Sequence, residues 1–114
     1  CGSMLAYIAK DAHNIKQIFT ISPWGGEPIQ RTFHESDVQG GIRWHPKDHR
    51  LVYVWQNSLV GLNIEEGKNT VLTKPTQNPP KNPVWSHDGH KIAYNRMVSI
   101  DGNTPTMQIF VIEL

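Results

Sequence analysis

Short apolar runs bounded by turn residues fill this chain, and no stretch carries the periodicity of an amphipathic helix. Residues 5–9 form a β-prone run, and residues 10–14 form a polar loop. From Gln17 onward Ile18 and Thr20 fall on one side and Phe19 and Ile21 on the other, the alternation of a strand over 15–22. Gly25-Gly26 supplies the positive φ of a tight turn, and 28–32 reads as a short edge strand opened by Pro28. A second set of strands is predicted at 38–44, 50–55, 58–64 and 69–73. Residues 74–83 contain Pro75, Pro79, Pro80 and Pro83 and read as an extended linker. A third set follows at 84–85, 91–97 and 107–114, with a loop at 98–105.

The pattern repeats. Val84-Trp85-Ser86-His87-Asp88-Gly89-His90-Lys91-Ile92-Ala93-Tyr94 has a counterpart 41 positions earlier, Arg43-Trp44-His45-Pro46-Lys47-Asp48-His49-Arg50-Leu51-Val52-Tyr53. At the same offset Gly26 matches Gly67 and Thr32 matches Thr73. A period near 40 residues with four strand-like runs per unit is the signature of a β-propeller blade. The predicted fold is therefore all-β: a partial propeller of about three four-stranded antiparallel blades, at 5–33, 38–73 and 82–114. The first lacks its innermost strand and the last its outermost.

A single sheet of this size is unstable alone, so the blades must stack face to face. Trp44, Trp85, Tyr53 and Tyr94 are the expected wedges, each contributing about 2–3 kcal/mol when buried. Trp55, at a strand end, is expected to be more exposed than Trp44. Tyr7, Tyr53 and Tyr94 align with Phe19, Val60 and Phe110 on the following strand, so the intervening loop varies while the framework repeats. Asp88-Gly89 suits a tight turn. Asp48 fills the equivalent glycine slot, which predicts slight strain there.

Composition narrows the picture further. The formal net charge is +1 and no basic cluster exceeds two adjacent residues, which gives no electrostatic case for nucleic acid or an anionic membrane. No apolar run is long enough to span a bilayer. The one cysteine, Cys1, excludes an internal disulfide framework. Residues 1–4 read as a vector-derived remnant or tail ahead of the partial propeller at 5–114. Cys-Gly-Ser also resembles the start of a mature bacterial lipoprotein.

His45, His49, His87 and His90 occupy equivalent turns of successive blades, without the spacing of a recognised metal site. They are expected to be solvated on one rim, and no metal or other cofactor is assigned. Neither a Gly-x-Ser-x-Gly elbow nor a nucleotide loop is present, so no catalytic residue is assigned. Glu65-Glu66 and the pair Glu35 and Asp37 read as solvated charge.

Trp85-Ser86-His87-Asp88-Gly89-His90-Lys91-Ile92-Ala93-Tyr94 resembles the Trp-Ser-Pro-Asp-Gly-Lys-x-Ile-Ala-Phe repeat of TolB-like (WD40-like, PD40) propellers, with His87 at the usual proline. Trp44-His45-Pro46 keeps the proline and loses the glycine. Residues 17–28 resemble that repeat's third strand and Gly-Gly turn. The run 18–32, the Trp44-His45-Pro46 hairpin and Asn78-Pro79-Pro80 look like the C-terminal part of an uncharacterised bacterial family of TolB-like propeller proteins. Oligogalacturonate lyases are more distant relatives within the fold group. None of their metal-binding histidines can be matched here residue by residue.

The resemblance implies a ring of six or more blades. This chain would be either a fragment of a longer protein or one copy of a homo-oligomer that completes the ring. It implies a bacterial protein, with periplasm and cytoplasm both open. Propeller sites usually lie on the face carrying the loops between second and third strands and between blades. On that face the candidate contact residues are His13, His34, Asp37, Trp55, Gln56 and Asn78. The expected function is a non-catalytic binding or scaffold module with a protein or carbohydrate partner. The alternative is a fragment of a propeller enzyme, such as a polysaccharide lyase or a peptidase propeller.

Overall fold

The computed structural model describes residues 4–100, 102 and 104–114. Residues 1–3 of the N-terminal segment and Asp101 of the last loop lie outside the described residues. The described part is all-β, with ten strands: β1 (Leu5–Lys10), β2 (Lys16–Ile21), β3 (Ile29–Gln30), β4 (Val38–Trp44), β5 (Arg50–Trp55), β6 (Ser58–Asn63), β7 (Lys68–Val71), β8 (Lys81–Trp85), β9 (Lys91–Val98) and β10 (Thr106–Glu113). They form three antiparallel sheets, ordered β1-β2-β3, β4-β5-β6-β7 and β10-β9-β8. The middle sheet is a complete four-stranded blade. The sheets stack along the chain, with β4 packed against β1 and β2 on one side and β8 on the other. No helix of the described residues is long and apolar enough to cross a membrane.

The 41-residue step is visible in individual bonds. Thr32 Oγ1 accepts the Ile18 N–H at 2.9 Å, and Thr73 Oγ1 accepts the Leu59 N–H at 3.0 Å. The Arg31 and Leu72 amides donate back to the carbonyls of those same residues, Ile18 and Leu59. Gly26 and Gly67 both hold positive φ. The varying loop changes nothing in the ladder beside it, because Tyr7 faces Phe19, Tyr53 faces Val60 and Tyr94 faces Phe110. Two of those pairs stack as rings, at 5.9 and 5.5 Å between centroids.

Each sheet shows a different apolar set to each neighbour. Toward the first sheet, the second presents Leu51, Tyr53, Val60 and Leu62, all fully buried against Ile18, Ala6 and Ile8. Toward the third it presents Val52, Val54 and Leu59, buried with Ile92 and Tyr94 and flanked by Trp85, Phe110 and Ile112. Removing each such side chain from water contributes about 1.5–3 kcal/mol. On the outer faces the equivalent positions are open: Leu5 is 57% and Tyr7 36% exposed on the first sheet, and Ile109 76% and Val111 60% on the third.

Several expectations need correction. Trp44 and Trp55 are both half-buried, so the predicted difference between them is not seen. The third blade's first strand begins at Lys81, inside the stretch read as linker. Pro83 is tolerated because β8 pairs only with β9 and its register shifts between Lys81 and Val84, so no ladder bond is asked of its nitrogen. An equivalent irregularity interrupts β4, where Gly41 stands at the position of Asn82 and both hold positive φ. A Cβ on Gly41 would lie 3.0 Å from Val54 Cγ2 and 3.2 Å from Pro83 Cδ, which shows how closely the two first strands converge. Asp48 does not adopt positive φ, so the strain expected at that turn is absent.

Candidate functional site

The loops on the predicted face are joined into one rim by side-chain hydrogen bonds. Asp11 builds the β1–β2 loop, its Oδ1 accepting the N–H groups of His13 (2.8 Å) and Ile15 (3.1 Å). The Ile15 amide, most of all, holds the Asp11 carboxyl below the usual carboxylate range. Gln17, fully buried, reaches from β2 to the linker between the first two sheets. Its Nε2 donates to the His34 carbonyl at 2.8 Å and to Asp11 Oδ2 at 3.2 Å, and its Oε1 accepts the His34 N–H at 3.1 Å. Asp37 Oδ1 closes that linker onto β2 by accepting the Lys16 N–H at 2.8 Å.

His34 is thereby set against the second blade. Its Nε2 lies 2.6 Å from the Tyr53 hydroxyl, and its ring stacks on Trp55 with centroids 4.0 Å apart and planes 17° from parallel. Burial pushes the His34 imidazole below its ordinary value and the Tyr53 phenol up to about 12, so this pair is neutral near pH 7. Trp55 Nε1 donates to both the carbonyl (3.2 Å) and hydroxyl (3.1 Å) of Ser36, and Gln56 Nε2 lies 3.5 Å from the same hydroxyl.

The β5–β6 turn is the hub for the next linker. Gln56 and Asn57 both hold positive φ, as a two-residue hairpin turn matching the twist of its strands requires. Asn57 exchanges two bonds with Gln39 and donates through Nδ2 to the carbonyls of Thr76 (2.8 Å) and Gln77 (3.1 Å). Asn78 Nδ2 then donates to the Met97 carbonyl on the third blade at 3.0 Å.

The structure therefore draws His34, Trp55 and Gln56 into one cluster, with Asp37 beside Ser36 at its edge. His13 lies on the adjoining loop, where its backbone makes the bond to Asp11. Asn78 belongs to the next linker and turns to the third blade. Asp37 is not the purely solvated charge expected, since it fixes a backbone amide, and Glu65 Oε1 pairs with His49 Nδ1 at 2.9 Å. Gln17, Ser36 and Asn57 were missed. Gln17 and Asn57 carried one available signal: polar amides beside β-prone runs, where a side chain can bond a neighbouring loop.

The opposite rim carries the other histidines. His87 and His90 are exposed and His49 is partly buried, but His45 is only 4% exposed, which corrects the expectation of four solvated rings. The blade stack places Gly89 directly over it. Among the described residues no three His, Cys, Asp or Glu groups are grouped so as to hold a metal ion. What the first rim offers is a stacked aromatic pair bordered by amide and carboxylate groups on loops fixed in place.

No family model matches the chain. It is 34% identical over 95 residues to YidR, an uncharacterised protein of Escherichia coli K12, a match covering 82% of this chain and 23% of that protein. Among solved structures, a protein assigned as TolB from Agrobacterium tumefaciens superposes with a TM-score of 0.77 at 21% identity, over 98% of this chain and 39% of that one. The tricorn protease superposes with a TM-score of 0.80 at 14% identity, over 100% of this chain and 11% of the protease. The chain thus spans about a quarter of the curated relative it matches. Its fold is that of a TolB-like β-propeller.

Proposed function

We propose that this chain is a non-catalytic binding or scaffold module, three neighbouring blades of a TolB-like propeller whose first rim receives a protein or carbohydrate partner. The observation that carries this reading is the rim itself. Gln17, Asp37, Asn57 and Asn78 hold its loops before any partner arrives, so little ordering cost remains to be met on binding. Trp55 and His34 supply the flat aromatic surface that sugar rings and peptide side chains both use. In the same reading, flanking blades of a longer chain or of further copies cover the open faces at Tyr7 and Ile109. The short span of the chain relative to its matches supports that arrangement.

Photo-crosslinking from position 56 and tryptophan-fluorescence titration with oligosaccharides test the rim directly. Partner contacts should map to His13, His34, Asp37, Trp55, Gln56 and Asn78, and Trp55→Ala should weaken them. A footprint on the opposite rim, or one indifferent to Trp55→Ala, overturns the proposal.

The superposition on the tricorn protease favours a second reading, in which these blades belong to a peptidase propeller and catalysis lies elsewhere in the longer protein. Peptide cleavage by that longer protein, altered in rate or size selection by rim variants, would distinguish it.

A further inference from the structure

We propose that His45 is an acid-released latch between the second and third blades. Its ring is enclosed, and both nitrogens are committed. Nδ1 faces two backbone donors, the N–H groups of Lys47 at 3.1 Å and Asp48 at 3.0 Å. Two donors aimed at one nitrogen require a bare lone pair there, so the proton of the neutral ring sits on Nε2. Nε2 in turn donates to the Gly89 carbonyl of the third blade at 3.2 Å. The ring also meets Trp85 edge-on, with centroids 4.7 Å apart, and Trp85 Nε1 returns a bond to the Arg43 carbonyl at 3.1 Å. A Cβ at Gly89 would overlap the imidazole at Nε2, so the glycine that shapes the third blade's turn also makes room for the second blade's histidine.

Protonation has one place to go, Nδ1, and a hydrogen there points at two N–H groups. The cationic ring must then leave its seat, taking with it the turn at 45–48, the Gly89 contact and one side of the Trp85 cage. The charged or titratable groups acting on the ring are Arg50 and Asp48 from its own blade and His90 from the third. Asp88 is turned away onto the Ser86 hydroxyl and the His90 amide. Burial first, and Arg50 next, favour the neutral ring. Because the seated ring is held below the ordinary histidine value of about 6.5, the latch is fully engaged above that pH and is lost as pH falls below it. Blade 3 has Ser86 at the equivalent place, where its hydroxyl accepts the Lys91 amide, so that turn carries no such titration.

The test is nitrogen-detected NMR of the His45 ring, with amide hydrogen exchange corrected for its intrinsic pH dependence, on this chain from about pH 7.5 to about pH 5. At neutral pH Nδ1 should be bare. Protection at Lys47 and Asp48 should fall roughly tenfold or more on acidification, in step with ring protonation. His45→Asn retains an acceptor for the two amides without a titrating ring and should stay protected throughout. An acid response in His45→Asn equal to that of the parent overturns the proposal, as does a proton on Nδ1 at neutral pH. If that variant does not fold, the parent decides alone: ring protonation without loss of protection at 47 and 48 refutes the latch.

Discussion

Thr32→Val replaces a hydroxyl by a methyl of the same shape and so isolates one polar contact in the first blade. Thr32 is 1% exposed, and its Oγ1 both accepts the Ile18 N–H and donates to Gln17 Oε1 at 2.7 Å. Valine leaves the Ile18 amide without an acceptor inside the core, at a cost of roughly 1–3 kcal/mol. Gln17 Oε1 keeps the His34 amide, so its loss is closer to a net hydrogen bond, about 0.5–1 kcal/mol. Together the two losses give roughly 1.5–4 kcal/mol. Thr73→Val removes the matching bond to Leu59 at a partly exposed site, with no glutamine attached, and should cost about 1 kcal/mol. Urea unfolding followed by tryptophan fluorescence measures both. Hydrogen exchange at His34 should rise in the first variant and not in the second. A loss under about 0.5 kcal/mol for Thr32→Val, or a larger loss for Thr73→Val, would refute the account of these threonines as unequal copies of one joint.

Other outcomes follow from the same contacts. Leu59→Ala should cost about 2–5 kcal/mol in this chain, while Ile109→Ala, at the equivalent place on an open face, should stay within about 0.5 kcal/mol. In a longer protein that covers the face, calorimetry should find both costly. Tyr53→Phe removes the partner of His34 Nε2 and should cost about 1–2 kcal/mol by urea unfolding. Because burial raises the Tyr53 phenol to about 12, its contribution is intact below about pH 10 and fades as pH climbs toward 12; the phenylalanine variant should show a flatter alkaline limb in a pH series. The Ser86 hydroxyl first, and then the His90 amide, hold the Asp88 carboxyl below its usual range, so that contribution is present above about pH 3.9 and lost as pH falls. Asp88→Asn should remove it from the acid limb of the same series.

Much of the fold could be read from residues alone because alternation and the repeat describe one fact twice. Ile18 and Thr20 face the second blade while Phe19 turns away, as the period of two requires, and the step from Thr32 to Thr73 marks a bond made in both units. The strand at Lys81 stayed hidden because proline counts against a strand only where its nitrogen must donate. The burial of His45 depends on Gly89, 44 residues away, which reaches it only once two blades have stacked. The rim was located by topology, since strand order fixes which loops share a face. Its internal wiring was not, because the fit of His34 on Trp55 follows from the path of a linker that Gln17 and Asp37 set from another strand.

The unlike faces of each blade give the stack a direction. Tyr53 looks back toward the N-terminus and Val52 looks forward, so every junction joins a back to a front and never two of a kind. Duplicating one unit within such a gene would insert a wedge whose two sides already suit its new neighbours, and deleting one would let the remaining wedges meet in the same sense. Growth and shrinkage by whole units are therefore sterically cheap at the seams, whereas reversing a single unit would set tyrosine against tyrosine.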